Sequence, residues 1–237
     1  MDGEEMGLRV ERIDDERSPL AVAAFALIHK AMWDVQPTDE LMAELEEKRR
    51  GMPSAGDYHL LVLVDEEGDV AAAAAGVYLE PVNAGFITYL AVDEERRGQR
   101  LGRELRAHLV ESMREEAQRR RGGGDLAWVV GEVRRENRWL RTLVQHGRAI
   151  SFDLPYFHPW LPKKAEGKYV LYREPVADSR PELPSAEVAG LLYAIWRRAY
   201  RIRYPMHSET FAYMLRFLDE REMVGPDPEF TGEGEGS

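Results

Sequence analysis

Segments in which apolar residues alternate with polar ones, or run without interruption, are interleaved along the chain with segments of helical spacing. The first pattern predicts β-strands, at residues 8–13, 58–64, 70–79, 86–92, 126–133, 149–154 and 169–173. The second predicts helices, at residues 19–33, 38–50, 101–121 and 137–146. The order is strand, two helices, three strands, helix, strand, helix and two strands, which predicts an α/β fold with a central mixed sheet flanked by helices.

Capping residues locate the first residues of two predicted helices, and the neighbouring sequence decides whether residues 70–79 are assigned as a helix or a strand. Ser18 before Pro19 is typical of a helix N-cap and first turn, and Thr38 is expected to cap the second helix. Alanines at 71–75 favour a helix by intrinsic propensity, but the tight turn before them and the Val-Tyr-Leu sequence after them favour a strand. We therefore expect a strand across residues 70–79.

The composition changes after Pro175, where a polar, proline-containing segment predicts a linker. Two amphipathic helices are expected beyond it, capped by Ser185 and Ser208. Helices this short are not stable alone, so their apolar faces pack on the core, on each other or on a second subunit of a homodimer. The expected organisation is a domain at 1–175, a helical extension at 176–224 and a disordered tail at 225–237.

Composition narrows the classes of function. The 237 residues are 44% hydrophobic and 32% charged, which is ordinary for a water-soluble domain. No apolar run approaches the roughly 20 residues of a membrane span, and the acidic start MDGEEMG does not resemble a signal peptide, so we expect a cytoplasmic protein that does not bind membranes. The absence of cysteine excludes disulfides, cysteine-ligated zinc and an acyl-cysteine intermediate.

The most informative segment is LAVDEERRGQRLGREL at residues 90–105, which combines an apolar strand, a loop of arginine and glycine, and a helix start. Free backbone N–H groups and the dipole at a helix N-terminus favour anions such as a diphosphate. Between Arg96 and Arg121 there are nine arginines and four glutamates, in a chain of formal net charge -11. Since cations oppose the dipole in the first turn, a bound anion explains these arginines better than a purely structural helix does.

The sequence RGQRLG, with LAV before it and an amphipathic helix after it, resembles the acetyl-CoA-binding motif of the GNAT superfamily of N-acetyltransferases. That motif has Gln or Arg, two residues, Gly or Ala, one residue, and Gly or Ala. Arg97 and Gly102 match it, whereas Arg100 stands at the middle glycine. A left-handed Arg100 would cost roughly 1–2 kcal/mol, and we expect its side chain to compensate by reaching a phosphate. The predicted element order over residues 8–175 is also that of the GNAT fold.

The resemblance implies acetyl-CoA as the acyl donor, with no metal, and it implies which residues bind it. The strand backbone at Leu90, Ala91 and Val92 would bind the pantetheine. The loop and helix start would bind the diphosphate, through Arg97, Gly98, Gln99, Arg100, Leu101, Gly102 and Arg103. Asn137 stands where family members often have an asparagine that contacts the pantetheine arm, although an asparagine there is equally typical of a helix cap.

The general acid is the point at which the chain departs from the family. Family members often have a tyrosine acid seven residues after that asparagine, and this chain has Val144 there. His146 is the nearby alternative, although a histidine at a helix end also suits the helix dipole. Further candidates, which spacing does not rank, are Tyr89, Tyr156 and His158.

A general base is needed because a substrate ammonium must lose a proton before its nitrogen can attack a thioester. Glu132, at the end of a buried strand, is the first choice. The alternatives are that Glu132 is only an exposed strand-end charge and that a chain of waters deprotonates the amine.

Other functional motifs are not found. There is no GxxxxGK followed by Ser or Thr, no GxGxxG after the first strand and no defensible metal-site spacing, and the aromatic residues are not interleaved with basic ones as in nucleic-acid binding. The sequence thus predicts an acetyl-CoA-dependent N-acetyltransferase acting by direct attack of a small-molecule, peptide or protein amine. The resemblance to the GNAT fold further implies that residues 29–38 and 152–160 line the acceptor groove. The alternative is a non-catalytic acyl-CoA-binding regulatory module that keeps the loop but has lost its acid.

Overall fold

The computed structural model describes residues 7–52, 56–161 and 166–231. These residues fall into two compact units. The first unit is drawn from Met1–Tyr78 and Ile87–Arg119, and the second from Leu79–Phe86 and Arg120–Ser237. The strands at the centre of the chain therefore contribute residues to both units.

The first unit contains antiparallel strands covered by helices. Its elements are β1 (Arg9–Arg12), α1 (Pro19–Ala31), α2 (Thr38–Arg49), β2 (Tyr58–Val64), β3 (Val70–Leu79), the end of β4 (Ala84–Val92) and nearly all of α3 (Leu101–Arg121). β2 pairs antiparallel with both β1 and β3. All of β2 and all but the first residue of β3 are buried, which accounts for their apolar sequences, interrupted in β2 by His59, and confirms the alanine-rich strand.

The predicted amphipathic face of α3 is confirmed. The apolar residues spaced four apart along this helix are all buried, and they are Leu101, Leu105, Leu109, Met113 and Ala117. Gly122, with a φ of 68°, follows the last helical residue, as is common where a helix ends in a left-handed residue.

The second unit contains the later strands and the C-terminal helices. Its elements are β5 (Trp128–Arg134), α4 (Arg138–Gln145), β6 (Ile150–Ser151), β7 (Tyr169–Pro175), β8 (Leu183–Pro184), α5 (Ser185–Ala194), α6 (Glu209–Asp219), β9 (Met223–Val224) and α7 (Pro228–Thr231). β7 lies between β5 and β6 and is antiparallel to both.

The predicted mixed α/β fold is confirmed by the strand order β1-β2-β3-β4-β5-β7-β6 in one sheet of seven strands. The pair β4–β5 is parallel, in a register that runs from Ala84 opposite Trp128 to Phe86 opposite Val130. Because parallel neighbours need a crossover connection, α3 lies between these two strands in the chain.

The segment expected to be a linker is ordered in the structure. Arg180 forms ion pairs with Asp178 at 2.6 Å and with Glu187 at 2.8 Å, and the short strand β8 pairs with β9. After α5 the chain makes a π-helical turn, Ile195–Ala199, and the Trp196 ring lies 4.9 Å from that of Phe211 on α6. The two C-terminal helices thus bury their apolar faces within the second unit, against each other and against the rest of that unit.

The tail differs from the expected disorder in its first part. Pro226 forms a β-bridge with Phe152, and α7 buries Phe230 to 4% exposure. The Arg141 guanidinium lies 4.8 Å from the centre of the Phe230 ring. Burial of Phe230 and the ion pairs of Asp227 and Glu229 with Arg135 therefore hold α7 on the second unit. Residues 232–237 lie outside the described part of the chain.

Three local predictions are wrong. Ser185 is the first residue of α5 rather than its cap, and Pro184 at the cap position makes no side-chain hydrogen bond, whereas Ser208 caps α6 as expected. Thr38 is the first residue of α2 rather than its cap, and Pro37 at the cap position makes no side-chain hydrogen bond, while the Thr38 hydroxyl contacts His29 Nε2 at 3.1 Å. The strand expected at 149–154 is only two residues long, because the chain turns after Phe152 toward the residues around Tyr156.

A buried histidine in the first unit makes folding sensitive to acid. His59 on β2 is fully buried, and within the described residues neither ring nitrogen has a hydrogen-bond partner. Burial, with the positive charges of Lys48, Arg12 and Arg119, lowers the pKa of His59 to about 2. The folded state therefore keeps this ring neutral at pH values at which the unfolded chain, with a histidine pKa of about 6.5, binds a proton.

We predict that this difference contributes a pH slope to stability. Between pH 6.5 and 2 the unfolded state binds one more proton at this site, so the free energy of unfolding falls by up to about 1.4 kcal/mol per pH unit as the pH decreases. His59→Leu should flatten the slope measured by urea unfolding between pH 6 and 4. His108→Gln, which changes an exposed histidine on α3, should not. Equal slopes for wild type and His59→Leu would contradict the prediction.

Candidate functional site

The loop after β4 is held in place by short-range hydrogen bonds. Asp93 donates its backbone N–H to the Ala71 carbonyl at 2.9 Å, which anchors the start of the loop to β3. The Asp93 carboxylate accepts from the Glu95 amide at 3.0 Å and caps a 3-10 turn, Glu94–Arg96. The chain leaves the strand through this turn and reaches the first residue of α3 five positions later.

Two left-handed residues shape the rest of the loop. Gly98 has a φ of 87° and Arg100 a φ of 64°, so the conformation that the sequence raised as a possibility for Arg100 is the one adopted. The Arg100 carbonyl accepts from the amides of Arg103 at 3.0 Å and Glu104 at 3.2 Å, which starts α3. Within the described residues, the amides of residues 98–102 have no hydrogen-bond partner. The loop therefore presents unpaired donors at the positive end of a helix dipole.

These donors surround a cavity of about 280 Å³ in the first unit, lined by Val92, Arg96, Arg97, Gly98, Arg100, Leu101 and Gly102. A Cβ at position 102 would come within 3.2 Å of Val92 Cγ2, so the glycine there permits close approach of the helix start to the strand. The cavity thus has strand on one side and helix amides on the other.

The four arginines around the loop differ in availability. Arg96 forms an ion pair with buried Asp65. The backbone hydrogen bond from Asp69 and the contact with Arg96 together lower the pKa of the Asp65 carboxyl, although burial acts in the opposite direction. Arg97 has only a 3.9 Å contact with exposed Glu94. Arg100 and Arg103 have no ion pair within the described residues. Arg96 is therefore engaged in fixing the loop to Asp65, whereas the guanidinium groups of Arg97, Arg100 and Arg103 are available to an anion.

A diphosphate suits these features, because amides without partners among the described residues, a helix dipole and three exposed arginines, of which only Arg97 has a long contact with a carboxylate, all favour negative charge. The loop residues fit the diphosphate of a coenzyme A thioester in this respect. Leu101 is buried in the start of α3, whereas Gln99 and Arg103 are exposed. On β4, Ala91 is buried and Leu90 and Val92 are half-buried.

A second group of polar residues surrounds Glu132 in the second unit. Glu132 lies near the end of β5, and its side chain is only 8% exposed. The Tyr156 hydroxyl donates to Oε2 and the Tyr200 hydroxyl donates to Oε1. His158 Nε2 lies 3.3 Å from Oε1. Glu132 is therefore a buried hydrogen-bond acceptor rather than an exposed strand-end charge.

Local contacts fix the protonation of the donors. The Trp160 amide donates to His158 Nδ1 at 3.3 Å, which places the proton of the neutral ring on Nε2, where it can be donated to Glu132. Burial, together with the charge and hydrogen bond of Glu132, raises the pKa of Tyr156 well above its usual value. Both groups thus present hydrogens to the carboxylate.

Sequence reasoning named Tyr156 and His158 without ranking them, and it missed Tyr200. Tyr200 lies 68 positions from Glu132 in the chain, beyond the segment that the motif covers. Nothing in its local sequence distinguishes it from the other aromatic residues of the C-terminal helices. Its ring lies 5.0 Å from that of His158 and 6.0 Å from that of Phe86.

The remaining candidates have structural partners. Asn137 caps α4, its side chain accepting from the amides of Trp139 at 2.9 Å and Leu140 at 3.4 Å. His146 ends the same helix, is exposed, and donates from Nδ1 to the Thr142 carbonyl at 2.6 Å. These contacts are those expected of a helix cap and a helix-end histidine.

The position at which the family often has a tyrosine is part of the core. Val144 is partly buried against a cluster that includes Leu140, Leu143, Val170 and Phe230. Tyr89, in the first unit, accepts from the Gln36 amide at 3.1 Å and donates to the Gln36 side chain at 3.3 Å. That contact anchors the segment before α2.

Two further properties concern residues 7–52, 56–161 and 166–231. No group of three or more His, Asp or Glu side chains is arranged there to hold a metal ion. Among the helices of the same ranges, none combines the length and apolar character needed to cross a bilayer.

Comparison with known proteins adds to this geometry. Residues 23–122 match the Acetyltransferase (GNAT) family, a segment that includes the loop and all of α3. Members of this family transfer acyl groups from acyl-CoA. No curated protein sequence matches the chain.

Solved structures resemble the fold. The ribosomal-protein-S18-alanine N-acetyltransferase from Escherichia coli is 18% identical, with 71% of this chain and 94% of that chain covered and a TM-score of 0.50. A chain of the NatC complex bound to Gag peptide and CoA is 15% identical, with 73% and 100% covered and a TM-score of 0.52. At these identities the likeness is one of fold.

We predict that Arg100→Gly separates stability from ligand binding. Glycine adopts a positive φ without strain, so the free energy of unfolding should rise by about 1 kcal/mol. The loss of the guanidinium should weaken coenzyme A binding by roughly tenfold. Calorimetric titration with coenzyme A and urea unfolding measure the two effects. Arg114→Gln, which removes a charge further along α3, is the matched control and should leave affinity unchanged. Unchanged or tighter binding by Arg100→Gly would refute a phosphate contact.

Proposed function

We propose, on the premise that this chain belongs to the acetyltransferase (GNAT) family through residues 23–122, that it is an N-acetyltransferase. It takes an acetyl group from acetyl-CoA and transfers it to a primary amine in a ternary complex. The observation that carries the proposal is the loop between β4 and α3, with its unpaired amides, two left-handed residues and three available arginines.

The residues of the loop would bind and orient the donor. Amides 98–102 and the start of α3 would bind the diphosphate, with Arg97, Arg100 and Arg103 adding charge, and the β4 backbone at Leu90, Ala91 and Val92 would bind the pantetheine. When bound, the thioester supplies an activated acyl group. Holding it in a fixed position supplies much of the rate enhancement, since positioning converts a bimolecular step into an effectively unimolecular one.

Glu132 would accept the proton that an ammonium must lose before its nitrogen attacks. A carboxylate is a competent general base when it is buried and held in one orientation, and Glu132 meets both conditions through Tyr156, His158 and Tyr200. Because the chain has no cysteine, the amine attacks directly and no acyl-cysteine forms. His146 and Asn137 are assigned no catalytic step, since their contacts are those of helix ends.

The acceptor is an amine of a small molecule, a peptide or a protein. One structural relative is named for the alanine of ribosomal protein S18 and another is bound to a Gag peptide. Peptides with a free N-terminal amine therefore belong in an acceptor panel, together with lysine-containing peptides and polyamines.

A second candidate function is that of a non-catalytic acyl-CoA-binding module. One observation favours it: Val144, at the position where the family often has a tyrosine acid, is packed against a hydrophobic cluster. A chain that binds acyl-CoA without turnover would be a regulatory module. The test is to incubate the purified chain with acetyl-CoA and the panel, and to follow free thiol and acetylated product by mass spectrometry. Transfer to an amine supports the enzyme. Coenzyme A binding with no transfer to any amine supports the module.

We predict that Glu132→Gln lowers kcat by roughly a hundredfold near pH 7, since general-base catalysis contributes on that order. The deficit should shrink as the pH rises, because a growing fraction of the acceptor is then already deprotonated. The affinity for coenzyme A should not change. Glu136→Gln, at an exposed glutamate four residues further on, is the control and should keep wild-type rates. A Glu132→Gln enzyme with wild-type kcat would exclude this base.

A further inference from the structure

The C-terminal segment after α5 places one polar group, the Tyr200 hydroxyl, against the Glu132 carboxylate. Tyr200 is 1% exposed, and its hydroxyl donates to Glu132 Oε1. Tyr156 approaches the other oxygen, and His158 shares Oε1 with Tyr200. Among the described residues, the groups within hydrogen-bond reach of this carboxylate are thus two phenols and one imidazole. Of these donors, Tyr200 is the one that follows the last strand of the seven-stranded sheet in the chain.

The backbone around Tyr200 is unusual on both sides. Before it lies the π-helical turn Ile195–Ala199, and the Tyr200 amide donates to the Ile195 carbonyl at 3.2 Å. After it, Arg201 has a φ of 54°, a left-handed conformation that costs a non-glycine residue free energy. Isolated π-turns and left-handed residues of this kind are commonly found at functional sites.

The consequence of these two features is the direction of one side chain. An α-helical continuation would place residue 200 one third of a turn or so away from its present direction. Trp196 and Phe211 anchor the turn in the core, while Trp160 borders the Tyr200 ring at 6.5 Å. The segment thus uses an irregular backbone to bring a hydroxyl to a buried carboxylate.

We infer that Tyr200 is a positioning residue for Glu132, and that the C-terminal segment completes the catalytic centre rather than forming an appendage to it. This inference rests on the proposed function of Glu132 as base. Hydrogen bonds donated to a carboxylate stabilise its ionised form relative to its protonated form, so Tyr200 keeps the group able to accept a proton and fixes the oxygen that does so.

The experiment compares Tyr200→Phe with Tyr193→Phe in the full chain. Tyr193 lies on α5 in the same segment, is 46% exposed, and has its ring 6.3 Å from Phe211, so it matches the chemistry of the change without contacting Glu132. Circular dichroism and coenzyme A affinity show that both variants are folded. For Tyr200→Phe we expect kcat to fall by about tenfold or more, with KM for acetyl-CoA unchanged and the acid limb of the kcat–pH profile moved to higher pH.

A double variant separates a positioning role from a structural one. In the Glu132→Gln background, Tyr200→Phe should cost little further activity, because the group that it positions is already gone. An additive loss would show that Tyr200 acts elsewhere and would overturn the inference. Tyr156→Phe should resemble Tyr200→Phe, because it removes the donor to the other oxygen.

A readout without turnover keeps this test independent of the proposed function. The chain is labelled with ¹³C at the glutamate side-chain carboxyl, and the Glu132 signal is identified by its loss in Glu132→Gln. In Tyr200→Phe the titration midpoint of that signal should move to higher pH than in the wild type, because one donor to the ionised form is lost, and in Tyr193→Phe it should not move. An unmoved midpoint in Tyr200→Phe overturns the positioning role even if the wild type is active. A moved midpoint in a chain that transfers to no amine would support the contact and count against the proposed function alone.

Discussion

A carboxylate that is almost excluded from water must receive hydrogen bonds, and the second unit is organised around this requirement at Glu132. A buried charge without partners would cost more than a domain of this size can tolerate. Tyr156 and His158 come from the chain after β6, and Tyr200 comes from the chain after α5. The short strand β6, the irregular segment that follows it and the π-turn are features that bring these donors to one place.

The loop after β4 presents the opposite situation to Glu132, because its backbone N–H groups at residues 98–102 have no hydrogen-bond partner among the described residues. The Arg96–Asp65 ion pair and the Asp93–Ala71 hydrogen bond fix its beginning, and the helix fixes its end. Between them the backbone turns through Gly98 and Arg100 and leaves its amides free. A rigid frame that holds unsatisfied donors is preorganised for an anion, since no reorganisation is required on binding.

How far the sequence predicted these features depends on whether the determinants were local. The stripe of buried residues on α3, the hairpin of β2 and β3, and the loop that leads from β4 into α3 follow from spacing and glycine positions, and all three are present. Thr38 was assigned as a cap from residue type alone, but Pro37 took that position. The tail was expected to be disordered because its composition is polar, but Phe230 is buried and Asp227 and Glu229 form ion pairs with Arg135. Tyr200 could not have been found, since the contact that gives it a role spans 68 positions and arises from a backbone irregularity that no residue pattern announces.

For the proposed donor, Arg97, Arg100 and Arg103 bear on the rate of encounter as well as on affinity. The chain as a whole carries a formal charge of -11, and a polyanionic ligand is repelled by most such surfaces. A small cluster of exposed cations makes one region attractive within that field, so long-range forces would guide the proposed ligand toward the loop before any contact forms. Capture of the donor should therefore be fastest in dilute buffer and slow as salt screens the cluster, even where the contacts that hold the bound ligand change little.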